Sequence, residues 1–391
     1  VLNGAAPAVA GWNMHHRYLV GVPMVQVETL GAGGGSICHV DNGDLQVGPA
    51  SAGAAPGPIC YGRGGTNPTI TDALLMLGIL SADSEFAGGS FSLSRAGVEE
   101  AFRELGGQMG YGAEEAAFDC WRVVNANMSQ GVRRITAGKG VDPKDMVMLA
   151  YGGNGPAFAA IQAEDLGIDK VLVPKASPTF SALGTLVADP SIDEERSYIA
   201  PADSIDAGKL KALWAELGER ARKYFGDASF AADTVTARYQ VNMRYPGQNW
   251  ALSFDLKINR GLDDLSFVDQ TIGQRAIALF NERHMQEYGH IREDEIPEIT
   301  GVRLATSVAT PSPIATRGFG APTVLARVAT TRRANLGHGY RETAVFLGAD
   351  LEPGHEVVGP AIIEETFTTI VVYPGWKANV DDAGDYELTR G

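Results

Sequence analysis

Cysteine is scarce in this chain of 391 residues, which has only Cys38, Cys60 and Cys120. An odd count without paired spacing rules out a disulfide framework and fits a reducing compartment. Basic residues are the minority, 32 Lys and Arg against 47 Asp and Glu, for a net charge of −15. No basic stripe is available to neutralise phosphates, which argues against a nucleic-acid partner. A nucleotide held by backbone amides is still allowed. No run of 18 apolar residues occurs, and the opening VLNGAAPAV lacks both a basic n-region and an apolar core of signal length. The sequence therefore predicts no membrane partner and a cytoplasmic location. What is plentiful is glycine, 48 residues in all, within a chain whose 45% apolar and 20% charged content is ordinary for a globular protein.

The glycine is densest at residues 31–65, GAGGGSICHVDNGDLQVGPASAGAAPGPICYGRGG, with eleven glycines and three prolines. Such a stretch predicts loops, since neither helix nor strand runs unbroken through it. Its flanks are ordered in pattern: VGVPMVQVETL alternates like a strand, and ITDALLMLGIL reads as a helix starting at Thr71 or Asp72. A long loop anchored on both sides predicts a shaped ligand wall rather than a linker. Glycine amides at Gly33, Gly34 and Gly35, beside Ser36, can donate to a phosphate or oxyanion without steric hindrance. Arg63 is the only cation of the stretch and is the candidate for pairing a phosphate or carboxylate. The neighbouring His15 and His16 would point to opposite faces of a strand. Cys38, His39 and Cys60 lack the spacing of a zinc site, so no metal ligands are assigned.

From residue 113 to about 138 an apolar face recurs at Ala117, Cys120, Val124, Met128, Val132 and Ile135, predicting a long amphipathic helix. Asn125, Asn127, Arg133 and Arg134 lie beside that stripe, and two asparagines inside a helix suggest a solvated face or hydrogen bonds to a loop or ligand. The strand-length run MVMLAY, the turn GGNGP, the helical AFAAIQAEDLG and the strand DKVLVP then form a βαβ pattern, which predicts a parallel sheet covered on both faces. Ligands of such units sit at the carboxyl ends of the strands, against the turn amides and the helix N-terminus. Gly152, Gly153 and Gly155 leave the backbone bare there, and Asn154 can adopt a left-handed conformation. This turn is neither a Walker loop nor a dinucleotide G-x-G-x-x-G. After a charged segment at 189–207 come the amphipathic KLKALWAELGERARKYFGD, a hairpin in TVTARYQVNMRYPGQNWALSFDL, a helix in IGQRAIALFNERHMQEYGH, and further strands including PAIIEETFTTIVVYP. Together they predict an α+β domain.

The stretches VPMVQVETLGAGGGSI, VGPASAGAAPGPICYGRGG, TDALLMLG, VVNANMSQGVRRI, LAYGGNGPAFAA and SALGTLVAD follow one another as in the hydantoinase A family, which the chain resembles over nearly its whole length. That family includes ATP-dependent hydantoinases, 5-oxoprolinase and the ATP-binding subunits of acetone and acetophenone carboxylases. The resemblance implies an α/β chain: a partial ATPase lobe of the actin, hexokinase and chaperone class over residues 1–200, followed by a C-terminal α+β domain over 201–391. Two Asp-x-Gly-Gly-Thr phosphate loops would normally precede it. In Gly64-Gly65-Thr66 the aspartate position is held by Gly62, so the chain corresponds to the C-terminal half to three-fifths of a full member. The implied cofactors are ATP with Mg2+ or Mn2+, with Gly152, Gly153, Asn154 and Gly155 touching the adenosine, Gly33, Gly34, Gly35 and Ser36 nearer the phosphates, and Arg63 and Asp72 as catalytic candidates. Asp72 would orient metal-bound water or act as a helix N-cap. The implied function is that of a subunit of an ATP-dependent ketone carboxylase (a ligase), phosphorylating an aromatic, acetophenone-like ketone, bicarbonate or both. The implied partners are other subunits of a hetero-oligomeric carboxylase complex. The alternatives are an ATP-dependent cyclic amidase of the hydantoinase or 5-oxoprolinase type, and a scaffold subunit without catalysis.

Overall fold

The computed structural model describes residues 8–9, 13–15, 18–20, 24–25, 27–84, 89–228, 230–231, 234–262, 264–310 and 318–391. From residue 28 onward the chain runs through β1 (Ser36–Asp41), β2 (Asp44–Ser51), α1 (Ile70–Met76), α2 (Val98–Met109), α3 (Ala113–Ala137), β3 (Met148–Leu149), α4 (Gly155–Leu166), β4 (Lys170–Val173) and α5 (Phe180–Val187). It continues with β5 (Ser191–Pro201), α6 (Ala207–Asp227), β6 (Val235–Arg244), β7 (Leu252–Arg260), α7 (Ile272–Tyr288) and β8 (Glu298–Val308). The last segment holds β9 (Val324–Leu325), β10 (Thr330–Asn335), β11 (Tyr340–Leu347), β12 (His355–Val358), β13 (Ala361–Glu364), β14 (Thr369–Val372), β15 (Trp376–Val380) and β16 (Tyr386–Arg390).

These elements form two compact units that interleave along the chain: one comprises Glu28–Thr185 with Ile314–Gly391, the other Val1–Val27 with Leu186–Pro313. Each unit therefore draws on two separate stretches of the sequence. The physical reason is strand pairing. β16 lies antiparallel to β4, with Leu388 opposite Val171, so the end of the chain completes the sheet begun by the βαβ unit.

In the unit of residues 186–313, β7, β6, β8 and β5 form an antiparallel four-stranded sheet. Helix α6 buries Leu210, Trp214, Leu217, Ala221 and Phe225, one apolar stripe at helical spacing. Inward residues of β6, Val235, Ala237, Tyr239, Val241 and Met243, alternate at period two and join the same core. The predicted hairpin around Pro246-Gly247 is β6–β7, with Gly247 at a φ of +82°.

The other unit carries the glycine-rich stretch. Its six-stranded sheet has the order β9–β12–β15–β16–β4–β3, and a second sheet has the order β10–β11–β13–β14. The βαβ pattern forms, with β3 and β4 parallel around α4. It differs from the predicted doubly covered parallel sheet: only Met148 and Leu149 of MVMLAY pair, β3 lies at the sheet edge, and Leu149 is 46% exposed. Most remaining pairs are antiparallel: β13–β14 and β15–β16 are hairpins of consecutive strands, while β12–β15 and β16–β4 join strands that are not consecutive. PAIIEETFTTIVVYP is itself such a hairpin, β13–β14.

Residues 31–65 are more regular than their glycine content predicts. β1 and β2 pair across a two-residue Asn42-Gly43 turn in which both φ values are positive, +51° and +88°. Of VPMVQVETL, Met24 and Val25 are in a strand and residues 27–30 have no regular structure. Helix α3 buries Ala117, Cys120 and Val124 as predicted, but its second half buries Ser129 and Gly131 rather than Met128 and Ile135. A Cβ on Gly131 would stand 2.5 Å from the methyls of Leu30. That close approach seats the start of the glycine loop against α3.

Candidate functional site

Leu30 against Gly131 brings the Gly31–Ser36 segment alongside α3, and the loop then closes on itself. The Gly33 amide donates to Ser36 Oγ at 2.9 Å, and the Ser36 amide donates to the Gly33 carbonyl at 3.1 Å. Ser36 is 4% exposed, so its hydroxyl serves the loop before any ligand. The Gly34 carbonyl accepts from both the amide and the hydroxyl of Thr71, at 2.8 and 2.9 Å, which pins the loop to the first turn of α1.

That first turn is built on Asp72. Thr69, not Thr71 or Asp72, is the N-cap of α1, and Asp72 at the third helical position completes a capping box. Its carboxylate accepts from Thr69 N at 2.9 Å, Thr69 Oγ1 at 2.7 Å, Ile59 N at 3.2 Å and Cys60 N at 2.7 Å. Asp72 is fully buried. The carboxylate thus ties residues 59–60 to the first turn of α1. Burial, with the Asp72 carboxylate beside it, pushes the Cys60 thiol up; hydrogen bonding to Cys120 and burial do the same to Cys38. These thiols stay protonated and are no nucleophiles at neutral pH.

The second glycine turn follows β3. Gly152, at a φ of +93°, is its left-handed residue, whereas Asn154 is right-handed at φ −113° and forms the N-cap of α4 without a side-chain capping bond. The turn is held from outside: the Gly152 amide donates to the Ser177 carbonyl at 2.8 Å, and Thr368 Oγ1 donates to the Gly153 carbonyl at 2.9 Å. The uncommitted Asn154 amide faces the first loop. A Cβ built on Gly34 would run into Asn154 Nδ2 and lie 2.7 Å from Thr71 Oγ1. Two glycine segments about 120 residues apart in sequence thus meet at Gly34 and Asn154.

Beside this meeting point lies a cleft of about 760 Å³ lined by Gly33, Gly35, Met128, Tyr151 and Gln162 among others, though by neither Gly34 nor residues 152–155. Glu28 is the only charged residue in the lining. Arg63 is not brought to this cleft; it is exposed, with its guanidinium over the Phe91 ring at 5.5 Å. At Gly33 and Gly155 nothing lies within 4 Å of where a Cβ would stand, so the backbone there is bare. The amides of Gly34, Gly35 and Gly155 donate to no described residue. Free backbone amides of this kind are donors to neutral and polar ligand atoms, and α4's N-terminus carries partial positive charge. Among the described residues no group of three His, Cys, Asp or Glu is placed to hold a metal ion. His16 and the side chain of His15 lie outside the described residues.

Tyr151, Gln162 and Thr368 complete this arrangement, and sequence reasoning did not single them out; Thr71 it named only as a helix start. Tyr151 had a usable signal, an aromatic immediately before a glycine turn; its ring lies 5.2 Å from that of Phe180. Thr368 had none, since its partners are more than 200 residues away.

With this geometry in hand, comparison with known proteins is informative. The sequence matches the family description "Hydantoinase/oxoprolinase" over residues 3–194 and "Hydantoinase/oxoprolinase C-terminal domain" over residues 201–388. The caprolactamase subunit alpha of Pseudomonas jessenii is 34% identical over 96% of this chain and 54% of the relative. The acetophenone carboxylase gamma subunit of Aromatoleum aromaticum is 31% identical over 94% of this chain and 51% of the relative. Among solved structures, nucleotide-free acetone carboxylase superposes with a TM-score of 0.79 at 26% identity, covering 98% of this chain and 55% of that one. The ATP-dependent caprolactamase of P. jessenii superposes with a TM-score of 0.78, again covering 98% of this chain and 55% of that one. The chain spans about half the length of these relatives. On both family matches, and on a mixed α/β fold shared with acetone carboxylase and caprolactamase, this protein belongs to the hydantoinase/oxoprolinase family.

Proposed function

We propose that this chain carries the adenosine-facing half of an ATP cleft, as part of an ATPase lobe of the actin and hexokinase class, in an enzyme that activates a small carbonyl compound. The observation that carries the reading is the meeting of two glycine segments at Gly34 and Asn154, beside a cleft lined by Gly33, Gly35 and Tyr151. ATP supplies the phosphoryl group that makes an unreactive carbonyl oxygen a leaving group. In this chain Gly152, Gly153, Asn154 and Gly155 hold and orient the nucleoside, with Tyr151 as a face for the base. The amides of Gly34 and Gly35 face its polar end, and Thr71 and Ser36 keep that loop in shape. Asp72 holds α1 from beneath. The cleft lining has no cation, so neutralisation of the phosphates falls to groups beyond it; no step is assigned to Arg63 or to Mg2+ or Mn2+ here.

The acceptor is an aromatic ketone in the carboxylase reading, acting with bicarbonate inside a complex of several subunits. The cyclic-amidase reading has equal standing, because 34% identity to a caprolactamase subunit extends over 96% of the chain. ATP turnover by the native assembly separates them: acetophenone with bicarbonate supports the first, and a cyclic amide supports the second. The nucleotide assignment is tested by Asn154→Leu, which removes an amide at the meeting point. Loss of one such hydrogen bond weakens ATP binding by about two- to tenfold, read by calorimetry. Unchanged affinity would sink the adenosine assignment.

A further inference from the structure

Helix α3 lines more than one cavity. It gives Met128 and Val132 to the glycine cleft, and Trp121, Asn125 and Ser129 to a second space of about 870 Å³ that shares no lining residue with the first. One wall of this second cavity is aromatic. Phe118 and Trp121 stack with centroids 5.4 Å apart and planes 20° from parallel, and Tyr373 lies 6.3 Å beyond Trp121. Phe118 is part-exposed and its ring is available to a further face. The wall is rigidly held: Tyr373 OH donates to the Ala157 carbonyl at 2.9 Å, and Asn125 Nδ2 donates to the Trp121 carbonyl at 2.9 Å.

The arginines of the lining are both paired with acids of the lining. Arg122 pairs with Asp119 at 3.1 Å and Arg133 with Asp165 at 3.1 Å. Glu164, also in the lining, adds a further negative charge, which Arg390 meets at 3.3 Å. Both arginines of the cavity are thus occupied, and an anion entering it would meet acids before a free cation. Asn127 and Gln130 are exposed, line the space, and have no partner among the described residues. Carboxamides both donate and accept, so they suit a carbonyl or amide group. Ser129, only 2% exposed, lines the same cavity, as does Trp121, whose buried Nε1 has no hydrogen-bond partner among the described residues.

We propose that this α3 cavity is a second ligand site, distinct from the glycine cleft, for an uncharged aromatic molecule bearing a carbonyl or amide group. Its ring lies against Phe118 and Trp121, and its polar group meets Asn127, Gln130 and Ser129. The site does not rest on the nucleotide reading, because no residue is shared between the two linings. Gln162 stands between them: its Nε2 lies 3.0 Å from Met128 Sδ and 3.5 Å from Asn125 Oδ1.

Benzamide and benzoate are nearly the same shape and differ in charge, so they probe the assignment directly. Calorimetric titration of the purified chain is expected to show benzamide binding at least about tenfold more tightly than benzoate. Ala126→Trp places a large ring in the cavity from an exposed position of α3, and is expected to weaken benzamide binding about tenfold or more. Gln130→Trp fills the same space from the next turn and serves if the first variant does not fold. Gly33→Leu, which fills the other cleft, is expected to leave benzamide binding unchanged. Equal binding of benzoate, or undiminished benzamide binding in the folded Trp variants, overturns the proposal.

Discussion

Replacing Asp72 by asparagine separates a residue that builds the site from one that reacts in it. In the folded chain Oδ2 accepts three hydrogen bonds, from Thr69 N, Thr69 Oγ1 and Ile59 N, while Oδ1 accepts one from Cys60 N at 2.7 Å. An asparagine keeps one oxygen, and its best orientation leaves that oxygen to the three donors. Its NH2 then faces the Cys60 N–H, so a charge-assisted bond is lost and two buried donors oppose each other. Together these cost about 2–4 kcal/mol. For a unit of this size, that lowers the melting temperature by roughly 4–8 °C, measurable by calorimetry with and without ATP. Asp72→Ala, which strips all four acceptor contacts, is expected to be worse. The reasoning is refuted if Asp72→Asn melts with the parent protein while turnover alone collapses, because that pattern belongs to a catalytic carboxylate.

Two further outcomes follow from the same region. Gly34→Ala pushes a methyl into the Asn154 amide and the Thr71 hydroxyl. Both are ends of side chains, so the fold is expected to persist at a cost of about 1 kcal/mol for the disturbed Thr71 bond, with weaker ATP binding; full ATP affinity in a urea-stable variant would contradict the placement of the two loops. The Cys60 thiol is held above the ordinary value of 9.0. Below that pH both the folded and the unfolded chain keep the proton, and stability is unaffected. Above it the unfolded chain releases a proton that the folded chain retains, so stability falls by about 1.4 kcal/mol per pH unit. Urea midpoints between pH 8 and pH 10.5 are expected to decline less steeply in Cys60→Ala, and parallel declines would assign the slope elsewhere.

The parts of the fold that were legible in the sequence are those whose contacts are local. The stripe of α3, the β6–β7 hairpin and the β3–α4–β4 unit each announce themselves through periodicity and turn residues within one segment. The β1–β2 hairpin was legible too, through Asn42-Gly43, but the surrounding glycines hid a signal that depends on two residues alone. Long-range pairing was not legible. Nothing within residues 170–173 points to 386–390, and nothing in GAGGGS points to Asn154. Asp72 shows a different limit: a carboxylate near a glycine loop reads as chemistry, and only its four donors and complete burial show that it is a strut. The shift of α3's buried face toward Ser129 and Gly131 has the same origin, since Leu30 selects a glycine there from outside the helix.

The pairing of β16 with β4 also sets an order of events in time. On a ribosome that emits the chain from its N-terminus, β4 appears more than 200 residues before the strand that covers its flank, whereas β5 through β8 emerge as one continuous stretch and can close their sheet at once. The β5–β8 sheet can therefore close before β16 has been made, and the six-stranded sheet is completed only when residues 386–390 emerge. Until then the newborn chain shows an open sheet edge beside the βαβ unit, exposed to pairing with the wrong strand.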